Sequence, residues 1–107
     1  MSLSMPRITL GDGRDFLDWR EGQARTVEVF DIVVGTERRK GIGRKLVERL
    51  LAEIPKDTAI VYAITRMGNV IAHEFYESLG FRIVGRLHNF YRDGGEVESA
   101  LMYGLDI

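Results

Sequence analysis

Residues 37–46, ERRKGIGRKL, set Arg38, Arg39, Lys40, Arg44 and Lys45 around Gly41 and Gly43, at the point where a helix begins. Basic side chains in a first helical turn oppose the positive end of the helix dipole, typically by a few tenths to about 1 kcal/mol each. The pattern therefore asks for an anionic ligand. A chain that leaves a strand, passes through glycines and enters a helix presents backbone N–H groups with no partner inside the helix, and these favour phosphate. The alternative is a solvated basic face of the helix. Two common phosphate-binding patterns do not fit. The P-loop G-x-x-x-x-G-K-[ST] would need glycine five positions after Gly35, where Lys40 stands. The dinucleotide pattern G-x-G-x-x-G/A would run Gly41, Gly43 and then Leu46.

Composition narrows the chemistry further. With 15 Lys and Arg against 16 Asp and Glu, the chain carries no general excess of charge for coating nucleic acid or adhering to a membrane. It contains no cysteine, so disulfides, thiolate metal sites and cysteine nucleophiles are excluded together. Its two histidines, His73 and His88, are too few to hold a metal unaided, and none is expected. The opening MSLSMPR lacks an apolar signal core, and no stretch approaches the ~18 apolar residues of a membrane span, so a soluble, cytoplasmic protein is expected. Its 107 residues suit one domain, 1–107.

The elements that must position the cations read in order along the chain. Ile8–Leu10 suits a short strand, GDG (11–13) a turn, and DFLDW (15–19) and TVEVFDIVV (26–34) strands joined through EGQ (21–23). Leu46, Val47, Leu50, Leu51 and Ile54 then fall at helical spacing up to Pro55. TAIVYAIT (58–65) is apolar almost without alternation, which predicts a strand covered on both faces. A second helix is predicted over 70–79, with Asn69 as its cap, Gly80 as its left-handed stop, Phe81 packing back, and Ile71, Ala72, Phe75 and Leu79 as its buried stripe. FRIVGR (81–86), LHNFYR (87–92) and EVESALMYGL (96–105) read as strands, the last two joined at Asp93-Gly94-Gly95.

Between FDIVV and the first helix, Arg38, Gly41 and Gly43 form R-x-x-G-x-G, which resembles the acyl-CoA loop of the GNAT superfamily of N-acetyltransferases. Downstream, NVIAHEFYESLGF (69–81) is similar to that family's N-x-x-A-x-x-[LF]-Y-E-x-x-G-F signature, with Asn69, Ala72, Tyr76, Gly80 and Phe81 in place. The tail NFYRDGGEVESALMYGLDI is similar to the closing strand pair of ribosomal-protein N-terminal acetyltransferases. The resemblance covers about residues 26–107. It implies an α/β (α+β) fold: a mixed, mostly antiparallel twisted sheet with a central parallel strand pair, flanked by two main helices, and lacking the family's usual N-terminal strand and helix pair.

The resemblance also implies acetyl-CoA as co-substrate. Val33 and Val34 would offer backbone groups to the pantetheine arm; Arg38, Arg39, Lys40, Gly41, Ile42 and Gly43, with Arg44, would wrap the pyrophosphate; Asn69 would touch the cofactor farther along. The cations agree independently, because coenzyme A carries a pyrophosphate and a ribose phosphate that accept charge-assisted hydrogen bonds.

The implied reaction is N-acetyl transfer to a primary amine. A neutral amine must attack the thioester, the oxyanion needs a donor, and the departing thiolate is best protonated. Tyr76 stands where the family commonly places a general acid; a reference pKa of about 10 keeps it protonated beside a thiol of about 8.5. Its other reading is a core aromatic beside Phe75. Backbone N–H groups near Val33 and Val34 would serve the oxyanion, and without cysteine the transfer is expected to be direct, in a ternary complex. For the base, Glu28 and Asp31 lie on the strand before the loop and, by period-2 alternation, face opposite sides. Glu28 is one residue from a family glutamate position, Ile64 occupies the other, and a bound water is the remaining route. His73 and His88 receive no role. Where family members carry a strand and two helices before the hairpin, this chain has residues 1–25. A homodimer supplying the acceptor wall is the first expectation. An open cleft for a macromolecular substrate, or a non-catalytic acyl-CoA-binding regulatory module, are the alternatives.

Overall fold

Strand β1 (Arg7–Leu10) runs antiparallel to β2 (Asp15–Glu21), and Gly11 and Gly13 turn the chain between them with φ of 60° and 92°, values that glycine adopts without steric cost. Strand β3 (Thr26–Val34) pairs antiparallel with β2, and α1 (Ile42–Glu53) follows. Then come β4 (Ile60–Arg66), α2 (Val70–Ser78), β5 (Arg82–Tyr91) and β6 (Glu98–Asp106). The structure, a computed structural model, describes residues 5–35 and 41–107. The chain forms two compact units, Met1–Ala59 and Ile60–Ile107.

In the first unit, period-2 alternation puts Ile8, Leu17, Trp19, Val27 and Val29 on one face of the three strands. Helix α1 packs against β1, β2 and β3 and buries Leu46, Val47 and Leu50, with Ile54 just beyond its end. A fully buried leucine contributes roughly 1.5–3 kcal/mol, and Leu17, Leu46 and Leu50 are all at 0% exposure. Leu51, expected in that stripe, is instead 38% exposed, because the helix turns it away from the strands. Ile54 leaves the helix in an extended conformation (ψ 160°), as the residue before Pro55 must. The β2–β3 turn lies at 22–25 rather than 21–23: Glu21 still belongs to β2, and Ala24 and Arg25 carry positive φ.

In the second unit the strand order is β4-β6-β5, all antiparallel. The segments 81–86 and 87–92, read as two strands, are one strand, β5, whose pairing with β6 shifts between Ile83 and Gly85 and again between Leu87 and Tyr91. Extra residues at such bulges shift the register while the strand itself continues. Strand β4 alternates after all: Val61, Ala63 and Thr65 are buried, whereas Ile60, Tyr62 and Ile64 are half-buried.

Helix α2 closes both its own ends. Asn69 Oδ1 accepts the Ala72 N–H at 3.1 Å, the side-chain cap its position predicted. At the other end Gly80 takes φ 92°, Gly80 N–H donates to Glu77 C=O, and Phe81 N–H donates to Tyr76 C=O, which is a Schellman motif. The buried stripe differs from expectation: Tyr76 is the buried residue of α2, Phe75, Ala72 and Leu79 are half-buried, and Ile71 is 69% exposed. The backward-closing Phe81 ring sits edge-on against Tyr76, 5.2 Å away, so the inward side of the helix is the one that carries Tyr76.

Candidate functional site

Among the described residues, helix α1 begins without a side-chain cap. Gly41 is its N-cap in the left-handed conformation (φ 72°, ψ 17°), no described side chain hydrogen-bonds the cap, and the first turn holds no acidic residue. Nothing lies within 4 Å of a Cβ placed on Gly41, so glycine is needed there for its φ and not for space. Lys45 N–H makes the first helical bond, to Gly41 C=O at 3.0 Å, and the amides of the first turn precede it. Ile42 is half-buried, Gly43 buried and Arg44 exposed. Arg38, Arg39 and Lys40 lie outside the described residues. Val33 and Val34 end β3, both half-buried.

Sequence reasoning missed how β3 is held where this loop departs. Asp15, buried on β2 opposite Val34, accepts the Gly35 N–H on its Oδ1 at 2.8 Å. A Cβ on Gly35 would meet the Arg14 carbonyl oxygen at 2.7 Å, so the chain can pass only as glycine. Spacing could not reveal this pair, since it depends on the register across the hairpin.

The two carboxylates of β3 correct an expectation. Glu28 pairs with Arg20 and Asp31 with Asp18, while Trp19 pairs with Val29, so Phe30 is an inserted residue. Arg20 and Asp18 lie two apart on β2 and share a face; Glu28 and Asp31 therefore share it too, against the strict alternation expected of them. That face is ionic. Arg20 meets Glu28 Oε1 at 2.8 Å and stacks 4.8 Å over the Phe30 ring; Arg7 grips Asp18 at 2.7 Å and lies 3.9 Å over Phe16. Glu28 is thus the buried counter-ion of Arg20.

In the second unit an aromatic cluster surrounds Tyr76. Its ring is edge-on to Phe75 and to Phe81, each 5.2 Å away, and stacked on Tyr103 of β6 at 5.9 Å with 23° between planes. Burial pushes the Tyr103 phenol up to about 12, and its hydrogen bond to Glu77 Oε2 at 2.7 Å acts in the same direction. The His73 ring lies 5.6 Å from Tyr103, and its Nε2 is 2.9 Å from the Arg66 carbonyl oxygen. A hydrogen bond of this kind accounts for His73 without catalysis, and His88 is exposed.

The turn that delivers Asn69 to the start of α2 is held by Glu98, whose Oε2 accepts the Gly68 N–H at 2.9 Å and whose Oε1 meets Arg66 at 3.1 Å. These two bonds, the amide first, hold the Glu98 carboxyl below the usual carboxylate range. Arg66 also pairs with Asp93 and stacks 4.0 Å over Tyr91.

Residues 12–81 match the model of the family described as the Acetyltransferase (GNAT) family, a span that starts earlier than the loop and helix motifs alone suggest. Over 81 residues the chain is 35% identical to the ribosomal protein bS18-alanine N-acetyltransferase of Escherichia coli (strain K12), covering 74% of this chain and 55% of that protein. The chain thus spans about half the length of the curated relatives it matches. The crystal structure of the Escherichia coli ribosomal-protein-S18-alanine N-acetyltransferase aligns with 100% of this chain and 72% of its own, at 27% identity and a TM-score of 0.74. A Bacillus anthracis protein solved in complex with acetyl coenzyme A reaches a TM-score of 0.82 at 24% identity, over 92% of this chain and 59% of that one. This likeness shows the fold, and the expected mixed α/β class is the observed one.

Proposed function

The chain belongs to the Acetyltransferase (GNAT) family, and from that premise we propose that it transfers the acetyl group of acetyl-CoA directly to a primary amine, with Tyr76 as general acid. The observation that carries this reading is the start of α1, where a left-handed glycine, no side-chain cap among the described residues and no acidic residue in the first turn leave a helix terminus suited to a polyphosphate. Gly41, Ile42, Gly43 and Arg44, with Arg38, Arg39 and Lys40, would take the pyrophosphate; Val33 and Val34 would offer backbone groups to the pantetheine arm, and Asn69 would add a contact farther along.

In the reaction the amine nitrogen attacks the thioester carbonyl, the C–S bond breaks, and the departing thiolate takes the Tyr76 phenol proton. The amine loses its own proton to water. A water relay suits the site better than Glu28, whose Oε1 is engaged by Arg20 at 2.8 Å. The acceptor side would be completed by a second copy of the chain, and sedimentation at micromolar concentration should give a dimer mass. Since the Escherichia coli relative is a ribosomal protein bS18-alanine N-acetyltransferase, a peptide beginning with alanine is the first acceptor to test. Acetyl-CoA with that peptide should release free thiol, and Tyr76→Phe should lower kcat about 10²-fold, within the usual range for a general acid, with KM for acetyl-CoA unchanged. Coenzyme A binding with no acceptor-dependent thiol release from any amine would make the chain an acyl-CoA-binding module instead.

A further inference from the structure

We propose that Tyr103 and Glu77 form a latch that sets the position of Tyr76, with Tyr103 a positioning residue that acts on the general acid through ring contact and through the helix that carries it. The inference rests on the role given to Tyr76 above. Helix α2 is nine residues long, and its positions 73, 76 and 77 fall at i, i+3 and i+4, on one side. All three meet Tyr103: His73 by its ring at 5.6 Å, Tyr76 by stacking at 5.9 Å, and Glu77 as acceptor of the phenol at 2.7 Å.

Of the ring contacts described for Tyr76, those with Phe75 and Phe81 come from α2 and its own Schellman closure, and they travel with the helix. Tyr103 comes from the middle of β6, opposite Ala63 of β4, and is 1% exposed. It is therefore the ring through which the sheet dictates where Tyr76 stands. The hydroxyl adds what a phenylalanine would lack: a buried phenol that stays protonated donates to a carboxylate, a charge-assisted bond that fixes the rotation of α2 about its axis. The same commitment removes Tyr103 as a rival acid. A small displacement of an acid from its leaving group is costly, since about 1 Å of misplacement lowers turnover by up to about 10²-fold.

The test compares Tyr103→Phe, Glu77→Ala, Glu77→Gln and the Tyr103→Phe/Glu77→Ala double variant, assayed with acetyl-CoA and the alanine-starting peptide. Tyr76 ring-proton shifts are recorded by NMR alongside. Tyr103→Phe and Glu77→Ala should each lower kcat about tenfold with KM for acetyl-CoA unchanged, and the double variant should be no worse than either, because both remove one bond. Glu77→Gln keeps an acceptor oxygen and should stay within about twofold of the native protein. The Tyr76 ring shifts should move in the first two variants and not in Glu77→Gln. A general loosening of the fold would raise KM and make Gln no better than Ala. Native kcat and native Tyr76 shifts in Tyr103→Phe would overturn the latch, as would equal damage from Glu77→Gln and Glu77→Ala. Should Tyr103→Phe fail to fold, the Glu77 pair decides the matter alone. If Tyr76→Phe is slow while Tyr103→Phe is not, the latch fails and the general acid stands; if Tyr76→Phe is fully active, both fall.

Discussion

Helices α1 and α2 start in opposite ways. Helix α2 satisfies itself: Asn69 caps its first turn through Ala72 N–H, and Gly80 with Phe81 closes its last. Helix α1 starts on a left-handed glycine with no side-chain cap among the described residues and with Arg44 where an acidic residue would be stabilising. A missing cap typically costs about 1 kcal/mol, yet α1 tolerates this because Leu46, Val47 and Leu50 bury its apolar side against three strands. A structural helix uses its terminal donors internally. Among the described residues no side chain takes up those of α1, and the polyphosphate proposed above would supply their acceptor.

That contrast can be broken most forcefully at the closed end of α2. Phe81 is 3% exposed and supplies both the Schellman N–H and one wall of the Tyr76 ring. Phe81→Ala should cost roughly 3–5 kcal/mol in denaturant unfolding, the usual loss for a buried phenylalanine. Because alanine keeps the Schellman N–H, a loss under about 1 kcal/mol would mean that the Phe81 ring adds little to the packing around Tyr76. The next largest effect belongs to the open start of α1. Arg44→Glu places an acid in the first turn, where the helix dipole favours it, so thermal stability without ligand should not fall. Coenzyme A affinity measured by calorimetry should weaken about tenfold, or about 1.4 kcal/mol. Unchanged affinity would place the polyphosphate elsewhere.

How much of this was legible depended on whether the signal was local. Thr26–Val34, the Asn69 cap, the Gly80 stop and the start of α1 were read correctly, because each rests on residue types acting within one or two turns of the chain. Errors arose where an inserted residue broke a period. Phe30 brought Glu28 and Asp31 to one face, against the alternation expected of them. Tyr76 is the buried residue of α2 and meets Phe81 and Tyr103, partners outside the nine-residue helix that its apolar count does not register. The Asp15–Gly35 bond and the Tyr103–Glu77 bond span 20 and 26 positions, and nothing in composition or spacing announces them.

The finest distinction lies at Asn69, where structure and proposed cofactor contact meet in one side chain. Its Oδ1 holds the Ala72 N–H at 3.1 Å, and the proposed contact with acetyl-CoA would draw on its amide donors. Asn69→Ala removes both functions and should cost about 1 kcal/mol of stability, the usual loss for a cap, together with part of the coenzyme A affinity. Asn69→Asp keeps an acceptor of equal capping rank and gains from the helix dipole, so its stability should match the native protein within about 0.5 kcal/mol. Yet aspartate carries no N–H to offer and adds a negative charge near an anionic ligand. A protein that is natively stable but binds coenzyme A severalfold more weakly would show that Asn69 serves the ligand as well as the helix. Native affinity in Asn69→Asp would assign the residue to the helix alone, and α2 would then begin for purely structural reasons, in full contrast with α1.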